Sequence, residues 1–174
     1  MRSSDIAIRR LGPADAADYR ELRLRGLKEC PDAFTSSYDE DREKPLAATE
    51  GRLAPDGADS VFGAFAGGTL AGVAGLAREP RAKNRHKAVV FGMYVAPERA
   101  RRGIGAALLQ YAIERARREP GLEQLVLTVT ETNVAARTLY EKAGFRSFGI
   151  EPRAIRVGDT YFDKNHMILF LAQP

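Results

Sequence analysis

Chemistry is concentrated in the run Arg101-Arg102-Gly103-Ile104-Gly105-Ala106, which stands between a stretch of strand-like residues and a helical pattern. Small residues at the start of a helix let the backbone approach a phosphate. The helix's first N–H groups have no internal partner, and its dipole places about half a positive charge at the same end. Arg101 and Arg102 add fixed charge. The same residues also suit a helix packed closely on a sheet with a solvated arginine face, and the run alone does not choose between the two. Two familiar phosphate loops are excluded by spacing. The Walker pattern requires Gly, four residues, then Gly-Lys-Ser/Thr, and the chain has no such run. The dinucleotide fingerprint needs a small residue three positions after Gly105, where Leu108 stands, and its glycines should follow the strand at once, whereas seven residues separate Val95 from Gly103.

The elements that would position this run are legible as alternations and periods. Residues 6–11 alternate like a short strand, Gly12-Pro13 ends it, and a helix is expected to about Glu29 with Tyr19, Leu22, Leu24 and Leu27 as its apolar stripe. Residues 39–53 carry a weak helical pattern closed by Pro55-Asp56-Gly57. Residues 61–66 and 69–77 read as two strands joined by Gly67-Gly68, whose glycines suit a tight hairpin, and residues 88–95 as a third after a polar loop. From Gly103 the period becomes helical until Pro120-Gly121; residues 125–130 are rich in β-branched types, as in a buried strand. A helix over residues 133–143, with Asn133 as a cap candidate and Gly144 just past its end, precedes strands at 145–150 and 166–171, with a turn at Gly158-Asp159. The order predicts one α/β (α+β) domain over residues 1–174, a mixed, mostly antiparallel, twisted sheet flanked by helices.

Composition excludes much else. The 174 residues are 44% hydrophobic and 29% charged, the make-up of an ordinary globular chain long enough to need no staple. One Cys cannot form an internal disulfide, and two His with one Cys are too few for a zinc cluster, so no metal is expected. No apolar run reaches about 18 residues and residues 1–5 are polar, so the expected location is the cytoplasm and no membrane partner is expected. The net charge of +4 favours an anionic partner only weakly.

Three stretches together resemble the GNAT superfamily of acyl-coenzyme A-dependent N-acyltransferases: Met93-Tyr94-Val95-Ala96-Pro97-Glu98; Arg101 to Ala106 with Leu108-Leu109; and Asn133, Ala136, Leu139-Tyr140 and Gly144-Phe145. They stand in the family's order and spacing over roughly half the chain. One departure is Ala100, where the family carries Gln or Arg three residues before its first glycine; the backbone amides remain, with Arg99 close by. The resemblance implies acetyl-coenzyme A as co-substrate, its pyrophosphate on the amides of residues 103–106 between Arg101 and Arg102. Its pantetheine would pair with the backbone of Met93, Tyr94 and Val95 in a gap between splayed strands, with Asn133 in contact. It also implies an amine-bearing acceptor, no nucleic acid, and a homodimer as one assembly such chains form.

Amine acylation sets three tasks. A lysine-like amine is roughly 0.04% neutral at pH 7, so its proton must be taken by a base or by water. A backbone N–H near Tyr94 or Val95 would meet the oxyanion. Tyr140 stands at the family's general-acid position and would serve the departing sulfur; as an unplaced tyrosine it would be no more than the rim of an apolar helix face. The base is not legible: Val89 occupies the position where some members carry glutamate, and Glu29, Glu79, Glu131 and His86 remain candidates beside water. Residues 30–38 lie where the family places part of the acceptor wall. Two other function classes compete. A non-catalytic acyl-coenzyme A sensor would keep the glycine run without a working acceptor pocket. A basic nucleic-acid module would use Arg99 to Arg102 and Arg115 to Arg118, but lacks interleaved aromatics.

Overall fold

A computed structural model describes residues 6–171; the polar run 1–5 lies outside them. The first alternation forms β1 (Ile6–Arg10), and Gly12-Pro13 turns the chain into α1 (Ala16–Glu29). The weak pattern that followed is two helices and not one, α2 (Tyr38–Arg42) and α3 (Leu46–Arg52). Ser37 caps α2 by accepting from the Glu40 N–H, and Pro45, which has no N–H to donate, stands at the start of α3, so the break falls where a helical bond is missing.

β2 (Asp59–Ala66) and β3 (Thr69–Arg78) form the expected hairpin, followed by β4 (Lys87–Val95), α4 (Ile104–Arg117), β5 (Gln124–Thr130), α5 (Val134–Lys142), β6 (Arg146–Val157) and β7 (Thr160–Phe170). The last two strands are far longer than residues 145–150 and 166–171. β6 is an edge strand exposed over most of its length, so it has no apolar run to read, and an edge position tolerates Pro152.

Among the described residues, seven strands form one sheet in the order β1-β2-β3-β4-β5-β7-β6, antiparallel except where β4 meets β5. This is the α+β architecture expected. Val61 and Val73 pack with Tyr19 and Leu22 of α1 on one face, while their neighbours Phe62 and Ala74 pack with Leu108 and Ala112 of α4 on the other. Alternate strand residues point to opposite faces, so two covered faces make near-continuous apolar strands.

The parallel pairing is brief. Lys87, Ala88 and Val89 register with Gln124, Leu125 and Val126, and beyond them β4 and β5 part. There β4 also bulges: Phe91 pairs with Gly75 and Tyr94 with Val73, leaving Gly92 and Met93 opposite Ala74. Gly92 takes φ +60°, a left-handed conformation natural to glycine. Splay and bulge coincide, which leaves the β5-facing edge of β4 in the gap without a strand partner.

Candidate active site

The gap is a cleft with about 460 Å³ of open space. Phe91, Gly92 and Met93 line it from β4, and Thr128, Val129 and Thr130 from β5; Asn133, Ala136 and Tyr140 face them, and Ala33 and Phe34 close one side. Tyr140 is 8% exposed and stacks edge-on with Phe145, ring centroids 6.0 Å apart. Its hydroxyl donates to Met93 Sδ at 3.6 Å. Burial pushes its pKa up to about 12, so at neutral pH it holds its proton. Among the cleft's lining residues it is the single titratable side chain.

Asn133 does two things at once. Its Oδ1 accepts from the Ala136 N–H at 3.1 Å, capping α5, while the residue also lines the cleft. The glycine run lies beside this wall. Gly103 precedes α4 at φ +76° with open space where a Cβ would stand, and no side chain caps the helix, so its first amides have no side-chain partner. A Cβ on Gly105 would sit 3.5 Å from Met93 Cε and from Leu139 Cδ2, which places the start of α4 against both β4 and α5. Arg101, itself at φ +60°, and Arg102 are exposed on the preceding loop, Ile104 sends its side chain into the core, and Ala106 is exposed.

Tyr94 and Val95 divide between the faces. Val95 packs toward α4, whereas the Tyr94 ring turns to α1, where its hydroxyl donates to Glu29 Oε2 at 2.5 Å. Neither Tyr94 nor Val95 lines the cleft, whose β4 wall ends at Met93. Glu29 also accepts from Arg25 Nε at 2.8 Å, and this pairing first, then Tyr94, holds its carboxyl below the usual range. Arg25 grips Glu98 with both terminal nitrogens at 2.8 Å, which lowers Glu98 to about 2 and ties α1 to the loop before the arginines.

The four base candidates are not brought together. His86 and Glu79 lie at the closed end of the splay, where the His86 carbonyl accepts from the Glu123 and Gln124 N–H groups and the Glu79 N–H donates to Lys87. At about 3.3 Å per strand residue, His86 is roughly 20 Å from Met93. Glu29 is occupied on the α1 face. Glu131 stands next to Thr130 at the cleft, but accepts from Arg137 Nη1 at 2.7 Å and Asn165 Nδ2 at 3.0 Å.

A second cavity, with about 850 Å³ of open space, lies between residues 31–39 and the β6–β7 turn, walled by Leu27, Pro31, Tyr38, Ile155 and Val157 with Ser36 and Ser37. Phe34 lines both cavities. Sequence reasoning missed what fixes this partition: Thr130 and Lys164, cross-strand partners on β5 and β7, both bond to the backbone of Asp32. A lysine just outside an expected strand carried no recognisable signal.

Against this geometry, the family model described as Acetyltransferase (GNAT) family matches residues 25–145. The chain belongs to the GNAT acetyltransferase family. Among solved GNAT structures, the acetyltransferase of the GNAT family from Streptococcus pneumoniae is 28% identical, with a TM-score of 0.87 over 96% of this chain and 99% of that one. The fold alone is shared with two others. One is yncA from Salmonella typhimurium with its cofactor acetyl-CoA, 24% identical, TM-score 0.80, covering 97% and 95% of the two chains. The other is the ribosomal-protein-alanine N-acetyltransferase from Brucella melitensis, 22% identical, TM-score 0.78, covering 94% and 99%. Among the described residues, no helix of this GNAT chain is long and apolar enough to cross a membrane.

Proposed function

We propose that this chain transfers an acetyl group from acetyl-CoA to a primary amine by direct attack, amine and thioester being held together, with Tyr140 as the donor to the sulfur. The observation that carries the reading is the protonated Tyr140 hydroxyl, placed on a sulfur atom of β4 within a cleft that offers no other titratable side chain.

The residues fit the donor. The uncapped start of α4, the open space at Gly103 and the two arginines before it suit a pyrophosphate, and the β4 backbone at residues 93–95, which has no partner on its β5 side, suits an amide-bearing arm that pairs as a short strand would. Asn133 would face that arm. Acetyl-CoA supplies the activated thioester. The chain's part is to orient and to stabilise: β4 N–H groups at Tyr94 or Val95 meet the oxygen that gathers charge, and the Tyr140 O–H points at the sulfur.

Magnitudes refine the role of Tyr140. Against a solvated thiol of pKa near 8.5, full transfer from a hydroxyl at about 12 is uphill by roughly 3.5 pK units, close to 5 kcal/mol. A thiolate expelled beside this buried hydroxyl is itself partly desolvated and more basic, which narrows the gap. Tyr140 therefore acts first as a charge-stabilising hydrogen-bond donor and gives up its proton late. The amine sheds its own proton to water, since no free base lines the cleft among the described residues.

The test is release of free thiol from acetyl-CoA with a panel of L-amino acids, spermidine, benzylamine and a peptide with a free N-terminal alanine, run beside thermal unfolding with acetyl-CoA. Turnover with at least one amine is expected, together with stabilisation of about 2.7 kcal/mol at 100 times the dissociation constant. Stabilisation without turnover would turn the reading into an acyl-CoA sensor; neither would end it.

A further inference from the structure

Lys164 is 4% exposed and belongs to no ion pair among the described residues. Its ammonium has three N–H donors, and three acceptors meet them: the Asp32 carbonyl at 2.9 Å, the Thr130 hydroxyl oxygen at 2.9 Å and the Ala33 carbonyl at 3.4 Å. Thr130, 1% exposed, donates its own hydroxyl proton to the Asp32 carbonyl at 2.6 Å. Both lone pairs of that carbonyl are thereby taken by the β5–β7 ladder. A neutral amine has only two N–H groups and would leave one acceptor unmet, so the geometry suits the charged form.

Keeping a charge there is costly. Burial drives the lysine's pKa down, with only the nearby Asp32 charge opposing it. An apolar side chain of the same length would avoid that cost but would leave the Ala33 carbonyl without its lysine donor, so the two effects on stability oppose each other. Stability is thus not by itself a reason for a lysine at this position. What it does hold is specific: Asp32 and Ala33 belong to the short turn that delivers Phe34, and Phe34 is the side chain shared by the two cavities.

We infer that Lys164, with Thr130, is a positioning residue for the amine acceptor: it pins the 31–34 turn to the sheet so that Phe34 forms a fixed wall where acceptor and thioester meet. This rests on the acetyltransferase reading, but half of its test does not. Cys30, the sole cysteine of the chain, is partly buried at the start of the same turn, and its carbonyl accepts from the Ala33 N–H at 3.0 Å. Its thiol therefore reports on the turn without any turnover.

The experiment compares wild type, Lys164→Met and Thr130→Val by thermal unfolding, by labelling of Cys30 with 5,5′-dithiobis(2-nitrobenzoate), and by steady-state kinetics with acetyl-CoA and the fastest amine of the panel. Lys164→Met is expected to keep its Tm within roughly 5 °C, to label several-fold faster at Cys30, and to raise the acceptor KM about tenfold while the acetyl-CoA KM moves less than twofold. Thr130→Val, which changes no charge, should repeat the pattern more weakly, and it supplies the test if Lys164→Met fails to fold. In the double variant the two effects should add to less than their sum, because both residues hold one carbonyl. Unchanged Cys30 labelling would refute the clamp whatever the activity. Faster labelling with an unchanged acceptor KM, or with donor and acceptor KM raised alike, would reduce Lys164 to an ordinary structural residue. If no panel amine is acetylated by wild type, the acetyltransferase reading falls and takes the acceptor role with it, while the labelling rates still decide whether the clamp exists.

Discussion

The cavities that meet at Phe34 are built from different materials. The cleft between β4 and β5 is made of backbone and element ends: a strand that leaves its neighbour, a bulge, an uncapped helix start and the cap of α5. The cavity beside it is made of side chains from a turn, the end of α1 and the far hairpin, held by bonds between residues distant in sequence. Backbone geometry depends little on which residues supply it, so the first region can serve one donor across many chains, while the second can change its walls without disturbing the fold. Substitutions in the two regions should therefore fail differently: donor-side changes should act on acetyl-CoA affinity or on the chemical step, and acceptor-side changes on the acceptor KM, as with Lys164.

The largest effect expected is from Tyr140→Phe. It deletes one hydroxyl from a buried ring and leaves the packing on Phe145 in place, so kcat should fall about 10²-fold with acetyl-CoA binding and Tm nearly unchanged. The pH profile sharpens the point. A group that deprotonates only near 12 stays a donor across the working range, so wild-type kcat should rise from pH 6 toward 10 as the amine loses its proton, with no alkaline fall that Tyr140→Phe abolishes. A fall near pH 10 present in wild type and missing in the variant would show that burial does not protect the hydroxyl during turnover.

Gly103→Val strikes the backbone side. Nothing stands within 4 Å of the position a Cβ would take, so the cost is conformational alone: a side chain held at φ +76° loses about 1 to 2 kcal/mol or shifts the loop. Titration with acetyl-CoA should show about tenfold weaker binding, while the acceptor KM at saturating donor stays put. If the acceptor KM rose instead, the two regions would not be separable in the way their construction implies.

The same division explains what could be read in advance. The glycine run, the Asn133 cap and Tyr140 lie on neighbouring elements with plain periodicity, so spacing and composition were enough to place them on helices and strands. Residues 39–53 looked like one helix because a weak apolar stripe continues across Pro45, and the proline had to be weighed above the stripe. The long β6–β7 hairpin extends past what the sequence displays because an edge strand exposed over most of its length has no hydrophobic alternation. Lys164 was invisible for a further reason. Its partners lie 132 and 131 residues away at Asp32 and Ala33, and no local pattern announces that a lysine will be buried against carbonyls that topology alone brings to it.

The smallest predicted effect separates two duties that one residue holds on the donor side. Asn133 accepts from the Ala136 N–H through Oδ1, and its Nδ2 has no partner among the described residues although the residue lines the cleft. Asn133→Asp keeps an acceptor for the cap and places a negative charge where the α5 dipole favours it, but removes the side-chain N–H donors. Tm should hold, and the acetyl-CoA KM should rise a few-fold. Asn133→Ala removes both, so it should show the same rise in KM together with a loss of about 1 kcal/mol in stability, read as a fall of a few degrees in Tm. If Asn133→Asp bound acetyl-CoA as wild type does, the side chain would be a cap and nothing more, and the α5 wall would bind the donor, like the helix start opposite, through shape and backbone alone.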